Sequence, residues 1–377
     1  MSSTPKIIAV VGGTGNLGSS VARSLYDNPD FQVRVLSRDP TTEKARALTQ
    51  NGIEVVKSDN WNTEDLKRAL SGCWGIFINI DSDAPNFKER IGPSEQDMGK
   101  IIVNAAVKAG VQHAVHASLP AATKLTGGKV PLLAFDGNYM PLISFYLDIC
   151  ASRVPHVTQV RNQCNPSAKS TVLTRISLSL LLDKAAISEY ILEPGRFKTA
   201  TIVSAGWFLG NAFDPKYTAA FGGFATTKDA DGYLTYRVPA MGNKPESVPW
   251  VAVAEDYGDF VHGVFLDPEK WDKRYIHGVS ESASFAGLTA KFQDVTGKPA
   301  RHVEIPLGGL TATVPSKTRE VNGLFDLMQA IQGNFFNGEP TQHQEARDLK
   351  EAACRARKSS GSGRPTTLEE YFRKYAL

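Results

Sequence analysis

The first strand and helix signals of this chain, and the turn that joins them, constrain its fold more than any other feature. Lys6–Val11 is a continuous apolar run, as expected of a strand covered on both faces of a parallel sheet. Asn16–Tyr26 carries Leu17, Val21, Ala22 and Leu25 at helical spacing and stops at Asn28-Pro29. Between them lies Gly12-Gly13-Thr14-Gly15-Asn16-Leu17-Gly18, readable as G-x-G-x-x-G from Gly13 or as G-x-x-G-x-x-G from Gly12. Glycines at the first positions permit a tight turn and a close approach of backbone to a pyrophosphate. Gly18 permits the helix to press on the strand, and the helix N-terminus offers unpaired N–H groups to the phosphates. A glycine motif alone is weak evidence. A buried strand before it and an amphipathic helix after it are the context it requires.

The strand–helix alternation continues. Phe31–Leu36 reads as a strand and Thr41–Gln50 as a helix, followed by a strand at Ile53–Lys57 and a helix to Leu70 capped by Thr63. Trp74–Ile80, Glu95–Ala109 and His113–Ser118 repeat the unit. Repetition of this length predicts an α/β fold, a doubly wound parallel Rossmann sheet with right-handed crossovers. At 377 residues the chain exceeds the size at which one core usually stops growing, so a smaller C-terminal α/β lobe is expected. The expected division is 1–136 with 183–210 as the dinucleotide domain, 251–266 returning to it, 211–320 as the lobe, and 321–377 as a tail. That tail ends in a short helix opened by the capping box Thr367-x-x-Glu370. From Gly137 to Leu182 the periodicity fails. About 45 residues without a period exceed an ordinary loop several-fold. Gly137-Asn138 can be encoded with GTAA and Leu182-Asp183 with TAG, so this insertion reads as a retained intron, with a true insertion as the alternative. Regular structure resumes with Asp183 capping a helix Lys184–Leu192 and a strand Lys198–Val203, with a further strand and helix at Val251–Val253 and Glu255–Leu266.

Composition excludes several classes. A formal net charge of +3 is too balanced to imply direct nucleic-acid or anionic-membrane binding. No apolar stretch approaches the roughly 20 residues of a membrane span. The N-terminus lacks the basic and apolar regions of a secretory signal. Four cysteines, Cys73, Cys150, Cys164 and Cys354, form no C-x-x-C pair, so no metal site is expected and a cytoplasmic setting is, with nuclear entry open to a regulator.

The end of the second strand selects the dinucleotide. An NAD site needs an acid there for the ribose 2′-hydroxyl, and the chain has Leu36-Ser37-Arg38. Ser37 offers a hydroxyl and Arg38 a planar fork suited to a 2′-phosphate, which favours NADP(H). Arginines at strand ends are also often merely solvated, and Asp39 stands close enough to blunt the argument. Asp59 and Asn60 follow the third strand, where adenine would lie. Ile80, Asp81 and Ser82 follow the fourth, at the edge where open sheets bind ligands.

Gly12–Gly18, Leu36–Arg38, Val55–Asp59, Gly110–Leu119, Val248-Pro249-Trp250 and Glu255-Asp256-x-Gly258 together resemble the NmrA-like family of atypical short-chain dehydrogenase/reductases, from about Lys6 to about Ile305. The resemblance implies a Rossmann domain and a small C-terminal lobe with NADP(H) between them. It further implies either a reductase of a small organic substrate or a redox-sensing regulator acting through a protein partner. The family's segment "VP-x-FD-x-K" followed by "YI" is similar to Val130–Asp136 and then Lys184–Ile191. By that resemblance Lys184 reaches the nicotinamide end and is the candidate catalytic residue. Phe208, Leu209, Gly210 and Asn211 match a cofactor-lining segment, and Ser118 holds the place of the reductases' serine. One expected pair is missing: no Tyr has Lys four positions on, and Leu180 stands four before Lys184. Lys184 then either works as acid or base or only binds the ribose. The aromatics Trp207, Phe208, Phe213, Tyr217, Phe221 and Phe224 serve either as an apolar substrate pocket or as core.

Overall fold

The computed structural model describes residues 4–82, 93–130, 184–213, 218, 223–224, 227–243, 248–311, 315–357 and 361–376. Strand β1 (Lys6–Val11) shows why the first half of the chain folds as it does. Its side chains alternate across the sheet. Ile8 and Val10 join one buried cluster, Ala9 and Val11 another, and all four are fully covered. The first cluster is capped by α1 (Asn16–Tyr26) and the second by α3 (Thr63–Leu70) and α4 (Glu95–Lys108). Helices on both faces of one parallel sheet make the doubly wound α/β fold expected from the sequence.

The strands β2 (Phe31–Ser37), β3 (Glu54–Lys57), β4 (Gly75–Ile78), β5 (His113–Ser118) and β6 (Thr199–Ala205) complete the expected sheet, with α2 (Glu43–Gln50) after β2. A short helix α5 (Ala122–Thr126) follows β5, and α6 (Lys184–Leu192) precedes β6. One cap differs from the reading above. Asn62, not Thr63, caps α3, its Oδ1 accepting from Glu64 N at 3.0 Å and Asp65 N at 3.1 Å. Among the described residues the sheet has seven strands, in the order β10-β6-β5-β4-β1-β2-β3. Its last member, β10 (Tyr275–Gly278), pairs parallel with β6. The sequence reading missed it, because its four residues come from the stretch assigned to the lobe and carry no period long enough to read.

The lobe is built on β7 (Trp207–Phe208), β8 (Leu234–Val238), β9 (Pro249–Val251), β11 (Glu281–Ser282) and β12 (Ala300–Glu304), with α8 (Phe285–Thr296) and α9 (Pro315–Ala330). Its core is aromatic. Trp207, Phe224, Tyr236, Trp250, Phe285 and Phe292 are buried together, and Phe213 packs against them. Trp207, Phe213 and Phe224 are therefore packing residues, while Tyr217 and Phe221 lie outside the described residues. The interrupted stretch 137–182 and Asp183 also lie outside them.

The chain then returns to the nucleotide half. A π-helical turn, Val253–Tyr257, leads into α7 (Gly258–Leu266), which packs on α1. Close contact is possible because Gly258 has no Cβ, which would stand 2.2 Å from Ser20 O. Helix α10 (Gln344–Ala356) covers α7 from outside and locks it with charge. Lys350 Nζ bonds Asp256 at 2.6 Å and Asp259 at 3.1 Å, and Arg357 bonds Asp259 at 2.7 Å. Asp256 also accepts from the hydroxyl of Ser280 and from both N and Oγ1 of Thr366, which leads into the final helix α11 (Leu368–Tyr375). Burial works against the Lys350 ammonium, but the two carboxylates outweigh it and hold its pKa above the ordinary value. This clamp accounts for the Glu255-Asp256-x-Gly258 motif as structure.

Candidate functional site

The glycine turn has the geometry its sequence requires. Gly12 takes φ +74°, and a Cβ there would lie 2.3 Å from Asn79 O. A Cβ on Gly18 would lie 2.2 Å from Gly12 O, so α1 and the turn touch backbone to backbone. Gly13 sits against Val35, while Thr14, Asn16 and Leu17 remain at least partly exposed. Gly15 opens α1 with no side-chain cap, and no acid stands in the first turn. No side chain therefore offsets the positive end of the α1 dipole in its first turn.

At the end of β2 the competing acid is occupied. Asp39 Oδ1 accepts from Thr41 N at 2.8 Å and Thr41 Oγ1 at 2.6 Å, and these bonds lower its pKa. Arg38 is exposed and has no ion pair or hydrogen bond among the described residues. Ser37 is buried and donates its hydroxyl to Asp39 O at 3.0 Å. It can still accept, but its proton is already given to that carbonyl. Asp59 turns on itself, accepting from Trp61 N at 3.0 Å, and is exposed beside half-buried Asn60.

The carboxyl edge of β4 and β5 holds a second set of buried, paired polar groups. Lys184, the first residue of α6, is 6% exposed. Its ammonium donates to Glu95 Oε1 at 2.7 Å and to Ile80 O at 2.9 Å. Ile80 contributes its carbonyl to the lysine and its side chain to the core on that face of the sheet, while Asp81 is exposed and Ser82 half-buried. Sequence reasoning missed Glu95, because an acid opening a helix is ordinarily a solvated dipole partner. Ser118 is also committed. Ser188 donates to it at 2.9 Å, and it donates to Leu119 O at 3.3 Å. His116 Nδ1 lies 3.0 Å from Ser188 Oγ, and burial together with the Lys184 charge lowers its pKa to about 3.

On the lobe side, Phe208, Gly210 and Asn211 line one cleft of about 260 Å³ with Asn16, and Tyr371 of α11 closes it. Leu209 does not join them. It is fully buried in the lobe core, because the 3-10 turn Leu209–Ala212 points it inward. The structure therefore brings Asn16, the first residue of α1, and three of the four lobe residues to one place, while the glycines of the turn do not line this cleft. Among the described residues no group of three or more metal-ligating side chains converges, and no helix is long and apolar enough to cross a membrane.

A model of the NmrA-like family matches residues 4–138 and 163–372. The chain belongs to the NmrA-like family. The break in the match falls within the interrupted stretch read from the sequence, and the match resumes at residue 163, before that stretch ends. The NmrA-like family domain-containing oxidoreductase lnaB of Aspergillus flavus is 35% identical over 375 residues, covering 99% of this chain and 98% of that one. Among solved structures the fold is shared with NmrA, a negative transcriptional regulator. Its NAD complex superposes with a TM-score of 0.67 and its NADP complex with 0.65, each 19% identical and covering 99% of this chain and 96% of that one. The NADPH complex of an Escherichia coli NADPH-dependent quinone oxidoreductase gives 0.60 at 17% identity, covering 98% of this chain and 100% of that one.

Proposed function

We propose that this protein is an NADP(H)-dependent oxidoreductase of a small organic substrate. The observation that carries the reading is the end of β2, where Arg38 is exposed and without a partner among the described residues while Asp39 is spent on Thr41. An NAD site needs a carboxylate turned to the ribose, and this one is turned away. The glycine cradle fits a pyrophosphate, and NADPH when bound would supply the hydride. Gly12 to Gly18 would hold the diphosphate, Arg38 the 2′-phosphate, and Asp59 and Asn60 the adenine edge. Asp81, Ser82 and Lys184 would flank the nicotinamide end, with Phe208, Gly210 and Asn211 as the opposite wall. The naming of lnaB as an oxidoreductase supports turnover.

Titration calorimetry tests the cofactor. A hydrogen bond to a charged group is worth about 1.5–3 kcal/mol, so Arg38→Ala should weaken NADPH binding roughly 10–100-fold and leave NADH binding nearly unchanged. Equal affinity of the unaltered protein for both dinucleotides would defeat the assignment. One observation favours a second reading, a dinucleotide-sensing regulator acting through a protein partner. The Lys184 ammonium is enclosed with Glu95, and no Tyr stands four residues before it as proton donor. NADPH that binds but is oxidised by no carbonyl or enone compound would establish that reading instead.

A further inference from the structure

Glu95 is buried like Asp259 in the first turn of α7 and unlike the acids that open α2 and α3. Glu43 and Glu64 occupy the first turns of α2 and α3 and are exposed, whereas Glu95 is 3% exposed. A carboxylate taken out of water needs a charged partner. Here that partner is Lys184, which also bonds the carbonyl of Ile80. The end of β4, the start of α4 and the start of α6 thus meet on one ammonium. The helices are pressed together there, since a Cβ on Gly99 would stand 2.5 Å from Ile187 Cγ1. An ammonium has three N–H donors, and the described residues take two of them.

We propose that Glu95 is a positioning residue of the dinucleotide site, holding the Lys184 ammonium at the carboxyl edge of β4 with its third N–H left for the sugar–nicotinamide end. The proposal rests on the NADP(H) reading above. Its physical content is that the lysine keeps place and charge in a buried setting only while the carboxylate faces it. The titratable groups facing it from the packed elements are Glu95 on α4 and His116 on β5. The latter, at about 3, stays neutral throughout the window tested.

The test is Glu95→Gln, with NADPH affinity measured on folded protein between pH 6 and 9. Glutamine keeps the shape and removes the charge, so the buried ammonium gives up its proton more readily as pH rises. The ratio of variant to wild-type Kd should grow with pH, reaching about tenfold at pH 9. A ratio that stays constant across the window would overturn the proposal, because a packing defect alone has no reason to titrate. Should the single variant fold poorly, Lys184→Met is compared with Glu95→Gln/Lys184→Met, which buries no charge. Equal affinities support the assignment, since Glu95 then acts only through the lysine. A further loss in the double variant overturns it. Failure of the wild-type protein to bind NADPH would instead defeat the cofactor reading, before any variant is made.

Discussion

The glycine turn and the charged clamp are both made of tight polar contacts, and they differ in how far apart in the chain their parts lie. The turn takes seven consecutive residues, Gly12 to Gly18, and its closest contact is Gly18 against Gly12 O. The clamp joins Asp256 and Asp259 to Lys350, Arg357 and Thr366, on segments separated in the chain by about 90 residues or more. A turn is dictated by φ/ψ and sterics, which adjacent residues carry with them. A buried ion pair is dictated by tertiary contact, and in the sequence each member reads as an ordinary solvated charge. The difference also divides labour. The turn opens α1 with no side-chain cap, whereas the clamp pairs its two acids with Lys350, Arg357 and Thr366.

Breaking the clamp should have the largest effect. Lys350→Met leaves Asp256 and Asp259 buried with less cation than they were built around, a change that costs about 3–5 kcal/mol when one partner of a buried pair is removed. Urea denaturation should report that loss. NADPH affinity of the protein that remains folded should change less than about twofold, if the clamp is structural and the turn is the site. A variant of undiminished stability would break the comparison.

Gly18→Ala probes the other side. The added carbon would meet backbone that cannot swing away, so stability should fall by about 1–3 kcal/mol. NADPH affinity should fall with it, because the turn and the first amides of α1 move together. Unaltered affinity in a destabilised variant would separate the turn from the ligand and weaken the site assignment.

These two regions show why the chain was partly legible. β1 and α1 begin and end at the residues read from pattern alone, because the apolar run, the glycines and Asn28-Pro29 are local signals. The helix opening at Lys184 was equally visible, though not that its ammonium would be spent on Glu95 and Ile80 O. That Asp39 does not pair with Arg38 was readable only once the structure turned Asp39 onto Thr41. Leu209 looked like its neighbours and faces the other way. β10 and α10 were lost for different reasons. β10, of four residues, leaves too little period to detect, whereas α10 carries Ala346, Leu349 and Ala353 at helical spacing, a signal masked by the polar residues around it.

The interface of α1 with α7 gives a pH-dependent test lying between the two regions. Asn28 Oδ1 accepts from Asp30 N at 2.9 Å, which fixes the amide so that Nδ2 faces His262 Nε2 at 2.9 Å. That nitrogen must accept, so Nδ1 carries the proton and donates to Ser24 Oγ at 3.0 Å, and Ser24 donates to Asp259 at 2.6 Å. Burial lowers the His262 pKa to about 4. The unfolded chain therefore binds a proton between pH 6.5 and 4 that the folded chain refuses, and stability falls as pH drops through that range. The slope from this one histidine should reach at most about 1.4 kcal/mol per pH unit. His262→Gln should flatten it, and an unchanged slope would show that the acid sensitivity lies elsewhere.

The smallest effect should come from Thr366→Val, which asks whether the clamp depends on charge or on the number of bonds. Valine keeps the β-branched shape and the backbone N–H that donates to Asp256 at 2.9 Å, and removes only the hydroxyl that donates at 2.8 Å. Asp256 still has Lys350 at 2.6 Å and the Ser280 hydroxyl, so no charge is left bare. The loss should then be about 1 kcal/mol, the usual net worth of one hydrogen bond and well short of that expected for Lys350→Met. Because Thr366 leads into α11, whose Tyr371 closes the cleft beside Asn16, its loosening should be felt as faster amide exchange in α11. A loss as large as that of Lys350→Met would mean that the clamp is held by its full set of bonds, and that the charge pair is not its dominant element.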